Sequence, residues 1–129
     1  MKKRIIVVMV VAASLLFLTQ MAMAAYDAAQ AKAIMQDVVK NFKALNAKAA
    51  AKDYYGAAEK FMDIAKIFKS LEAVTPPKGA KAEWDRIHSG IVKAAFKGIG
   101  ACGAQDDAGI KQAIGEMVKL RDEGHKMFM

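Results

Sequence analysis

The sequence predicts an all-α fold, an antiparallel up-down-up-down four-helix bundle preceded by a secretory signal peptide. Three observations carry that expectation. Beyond residue 24, apolar side chains recur at spacings of three and four, the helical period, in a stretch rich in Ala and Lys. Four such segments are separated by short connections marked by Asp, Gly and Pro. The first 24 residues have a different composition from everything that follows.

That leader has three parts. Lys2, Lys3 and Arg4 form a basic start, Ile5 to Leu18 an apolar run of 14 residues, and Ala22-Met23-Ala24 a small-residue cleavage site. The run is short for a membrane span, and no second one follows, so a retained membrane anchor is the weaker reading. The expected division is a signal peptide over 1–24, cleaved after Ala24, and a bundle domain over 25–129. The expected location is the periplasm, with no membrane attachment after cleavage.

Helix 1 begins near Asp27, a capping residue with Gln30 three positions on. Its stripe is Ala31, Met35, Val38, Phe42 and Leu45, fading in the Ala/Lys-rich stretch 46–52. Helix 2 begins near Asp53 with the stripe Tyr54, Ala58, Phe61, Ala65 and Phe68, flanked by Met62 and Leu71. Thr75-Pro76-Pro77 follows, and tandem prolines oppose helix. Helix 3 is expected from about Lys81 to Gly98. Trp84, Ile87, Ile91 and Ala95 share a face that Ile99 extends, before a Gly-rich corner at 98–103. Helix 4 starts after Asp106 or Asp107 and places Ile110, Ile114, Met117, Arg121, His125 and Phe128 on successive turns of one face.

The leader holds three of the 20 Lys and Arg and none of the 13 Asp and Glu, so the remainder carries +4. The charges are interspersed. There is no basic run of the kind that nucleic acid requires. A single cysteine, Cys102, excludes a disulfide framework within one chain and is expected to be inert and partly buried. No Ser/His/Asp or Cys/His set is spaced for nucleophilic catalysis, and the carboxylates read as solvated helix faces, so no enzymatic activity is expected.

The up-down-up-down order makes helices 1 and 4 antiparallel neighbours. It brings Met35 and His125 within about 15 Å of the same end of the bundle. A thioether and an imidazole facing each other across an apolar core can ligate haem iron from opposite sides. Val38, Val39, Ile87, Ile91, Met117 and Phe128 are the expected walls. A methionine on a helical stripe also serves as core filler, and a histidine near a helix C-terminus also serves the helix dipole. His88 is expected on the surface, beside Ile87 but off the stripe. Trp84 is expected to anchor the core, and one of Tyr54 and Tyr55 to pack while the other faces solvent.

The segment Gly115 to Phe128 resembles the C-terminal stretch of the cytochrome c′ and cytochrome b562 four-helix-bundle cytochromes. In cytochromes c′ this stretch carries C-x-x-C-H. Here Arg121 and Gly124 stand at the two cysteine positions and His125 remains, as in the b562 branch. Thr75-Pro76-Pro77 after helix 2, a methionine early in helix 1, and the spacing from Met35 to Phe42 are also similar to that branch. The resemblance implies a non-covalent haem b, one per chain, with Met35 and His125 as axial ligands and Arg121 against a haem edge or propionate. It implies a periplasmic single-electron carrier, a monomer or weak dimer, with unknown redox partner proteins. Ile87 and Ile91 depart from the aromatic residues the family places at the haem face. Two alternatives stand beside this reading. One is a five-coordinate, gas-binding variant with Met35 unbound. The other is a haem-free periplasmic bundle that binds copper (through His125, Met127 and Met129) or a partner helix, or acts in stress.

Overall fold

The computed structural model describes residues 27–129, and the leader expected over 1–24 lies outside them. Among the described residues there are four helices and no strands: α1 (Ala28–Ala50), α2 (Tyr54–Leu71), α3 (Lys81–Gly103) and α4 (Asp107–Phe128). No helix among them is long and apolar enough to cross a membrane.

Three of the four helices start where an aspartate supplies a first-turn partner, while α3, preceded by Ala80, has no side-chain cap. Asp27 Oδ1 accepts from Ala29 N and Gln30 N, Asp53 from Gly56 N, and Asp106 from Gly109 N. Asp107, the other candidate cap, instead accepts from the Tyr54 hydroxyl at 2.9 Å and pairs with Lys52 at 3.4 Å. This contact ties the α1–α2 connection to the start of α4.

The glycine-rich corner expected after Gly98 is not a corner. Helix α3 runs on through Gly98, Gly100 and Gly103. It ends at Gly103, and beyond its cap Gln105 takes the left-handed region at φ 53°, with Asp106 N donating to Ala101 O at 2.9 Å. Helix α1 ends in the same way, with Lys52 at φ 57° and Asp53 N donating to Lys48 O. In both, the left-handed position holds a residue other than glycine. Gly98 serves packing: a Cβ there would lie 2.3 Å from Phe61 Cζ, so the two helices meet through its missing side chain.

The core is Val38, Phe42 and Leu45 of α1; Ala57, Phe61, Ile64, Ala65, Phe68 and Leu71 of α2; Trp84, Ile87, Ile91, Ala94, Ala95 and Cys102 of α3; and Ile110, Ala113, Met117 and Phe128 of α4. The expected stripes hold in part, with Ala57 and Ile64 added on α2; Ala31, Met35, Tyr54, Ala58, Ile99, Ile114 and Arg121 are only half-buried, and His125, expected on the core stripe of α4, is exposed. Leu71 O accepts from Trp84 Nε1 at 2.7 Å, while Phe61 meets Gly98, so α2 and α3 are antiparallel. Arg86 pairs with Glu123, and Lys97 with Glu116, so α3 and α4 are antiparallel as well. The α2–α3 and α3–α4 seams are extensive and α1–α2 is narrower, but α1 and α4 meet along no comparable seam.

Candidate functional site

The gap left between α1 and α4 becomes a cavity of about 220 Å³ at one end of the bundle. Its lining comes from the start of α1, the end of α2, the first half of α3 and the end of α4, the four segments that an up-down-up-down order brings together. Met35, Arg121 and His125 all line it. The walls are mainly apolar: Ile34, Phe68, Leu71, Trp84, Ile87, Ile91 and Phe128.

Met35 sits in the second turn of α1 and is half-buried, because the stripe that is buried from Val38 onward opens here onto the cavity. His125 is exposed, one turn from the end of α4. Gly124, before it, is buried, and a Cβ there would approach Ile87 Cγ2 to 3.2 Å. Arg121 is half-buried. Its guanidinium lies 5.3 Å from the centre of the Phe42 ring and donates to Asp122 Oδ1 at 3.2 Å from Nη2 and 3.3 Å from Nε. The α2–α3 connection closes the floor. Lys81 Nζ donates to Glu72 O and pairs with Asp85, and Gly79, at φ 82°, lies against the Phe128 ring, where a Cβ would come within 3.0 Å.

Several expectations about individual side chains need correction. Of the six expected wall residues, Ile87, Ile91 and Phe128 line the cavity; Val38 and Met117 are core residues away from it; Val39 is 63% exposed and does not line it. The cavity is also more aromatic than Ile87 and Ile91 implied, since Phe68, Trp84 and Phe128 all face it.

The largest correction is His88. Expected on the surface, it is 6% exposed and lines the cavity. Burial drives its pKa down from 6.5 to about 4, with Lys81 adding to the depression and Glu72 and Asp85 opposing it, so the ring is neutral at pH 7. The signal was present in the sequence: His88 is four residues after Trp84 and three before Ile91, on the same helical face as both.

Cys102 is buried, which raises its thiol pKa and holds it away from partners. Met127 is half-buried, and Met129, though exposed, lines the same cavity as His125. No group of three or more His, Cys, Asp or Glu side chains is placed to hold a metal ion among the described residues. Tyr54 packs partly and Tyr55 faces solvent, as expected.

The cavity brings the thioethers of Met35 and Met129, the imidazoles of His88 and His125 and the Arg121 guanidinium to one mainly apolar space, an apolar pocket with a few convergent polar groups. Searches against protein-family models, curated proteins and solved structures find no match to this chain.

Proposed function

We propose that the chain is a periplasmic b-type haem protein of the cytochrome b562 kind, a single-electron carrier with Met35 and His125 as axial ligands. The observation that carries this reading is that Met35 lines one apolar cavity with Arg121 and His125, which are more than 80 residues away from it in sequence. The residues present fit the group. The thioether and imidazole come from the two helices that lack a close seam, so a planar ring can enter between them without breaking the packed seams of α2, α3 and α4. A bound haem supplies reversible one-electron iron chemistry, and thioether–imidazole ligation favours a relatively high potential. The chain's own residues do the rest. Phe68, Trp84, Ile87, Ile91 and Phe128 exclude water from the ring faces and favour a closed site. Arg121 is free to exchange its exposed Asp122 partner for a propionate, a charge-assisted pairing.

Reconstitution tests this. Haem added to the purified protein is expected to give a shifted Soret band and, on reduction, split low-spin visible bands. Met35→Ala is expected to produce a high-spin, five-coordinate spectrum, and His125→Ala to lower haem retention. No Soret shift in the wild type, or unchanged spectra in both variants, overturns the reading.

A further inference from the structure

His88 has no part in the ligand set above, yet it is among the most deeply placed polar side chains of the cavity. Its Nδ1 is fully buried and has no hydrogen-bond partner among the described residues. The ring is held in place by aromatic contacts, edge-on to Trp84 at 4.3 Å and tilted against Phe68 at 5.7 Å between centroids. The charged groups near it are Glu72 from the α2–α3 connection and Lys81 and Asp85 from α3, and none of them hydrogen-bonds the ring. Lys81 is already engaged by Asp85 and by the Glu72 carbonyl. An unpaired buried ring nitrogen is costly, and a Leu or Phe of similar size would fill this position without that cost. Nδ1 has no accessible surface, so it is the ring's other nitrogen, Nε2, that a ligand in the cavity can meet, with Nδ1 left as the unprotonated one.

We infer that His88 is a binding residue of this cavity, donating an imidazole N–H to a carboxylate of the bound haem. The inference rests on the haem reading and adds a second carboxylate contact to the one assigned to Arg121. A neutral imidazole has one N–H to give, and a carboxylate only accepts, so the pair is complementary and charge-assisted. The two contacts come from different helices, α3 and α4, which fixes which way round the ring enters.

The test compares haem with haem dimethyl ester, which lacks the carboxylates, on the wild type, His88→Phe and His88→Gln. The wild type is expected to prefer haem. His88→Phe is expected to weaken haem binding about tenfold while changing ester binding less than about twofold, and to raise the unfolding midpoint of the haem-free protein. His88→Gln keeps an N–H donor and is expected to recover part of the haem affinity. Equal weakening of both ligands by His88→Phe, or unaltered haem binding, overturns the inference and leaves the haem reading standing. If His88→Phe fails to fold, absence of a preference for haem over its ester in the wild type overturns it equally. Absence of any haem uptake by the wild type overturns the haem reading, and this inference with it.

Discussion

The two ends of the bundle are built on opposite terms. At the end where α1 turns into α2, Phe61 fills the space above Gly98, and Leu45, Ile64 and Met117 have almost no exposed surface. The Lys52–Asp107 pair and the Tyr54 hydroxyl close it on the outside. At the other end, the continuation of the same helical stripes, through Met35, Arg121 and His125, is left half-buried or exposed around a cavity. One end keeps the helices together. The other keeps two of them apart at a cost in packing, which is the arrangement expected of a site that is completed by a ligand.

This contrast can be broken by substitution. Phe61→Ala at the closed end is expected to cost about 3–5 kcal/mol in denaturant-induced unfolding, because the cavity left cannot collapse. Gly98→Ala is expected to cost about 1–3 kcal/mol despite the better helix propensity of alanine, since the added methyl meets the buried Phe61 ring. A null or stabilising result there would mean that the α2–α3 seam is looser than the close approach of Phe61 to Gly98 implies.

Acid sharpens the comparison at the open end. His88 has a folded pKa of about 4 against an ordinary 6.5, so the unfolded chain takes up a proton first as the pH falls. Its contribution is fully present above about pH 6.5 and is lost between there and about pH 4, about 3 kcal/mol in all. Urea melts across that window are expected to show the loss in the wild type and a flatter limb in His88→Phe. The smallest effect belongs to Met35→Ala in the haem-free protein, about 1 kcal/mol or less, because the side chain is half in solvent and already borders a void. The same substitution is expected to have a large effect on the haem spectrum, so Met35 separates function from stability where Phe61 does not.

Most of the architecture was legible because its signals are local. Asp27, Asp53 and Asp106 announce helix starts by chemistry acting within one turn, and the apolar stripes follow from period alone. The end of α3 was not legible. Glycine ordinarily marks a helix end, but Gly98 is there to admit Phe61, a residue 37 positions away, and the actual left-handed positions are held by Lys52 and Gln105. The meeting of Met35, Arg121 and His125 at one cavity could be read from the sequence because topology alone brings them to one end. His88 is hidden from a reading by stripe alone, because a polar residue next to the stripe looks solvent-facing, whereas the stripe of α3, serving two seams and a cavity, is wide enough to include it.

Trp84 has a consequence of a different kind. It is the only tryptophan in the chain, its indole N–H is fixed to the Leu71 carbonyl, and its ring touches both His88 and Phe128. Its fluorescence is therefore an unlabelled optical reporter confined to the open end. Protonation of the neighbouring imidazole, arrival of a light-absorbing ring, or displacement of the C-terminal turn would each change the emission, while events at the closed end would remain dark until the whole bundle unfolds.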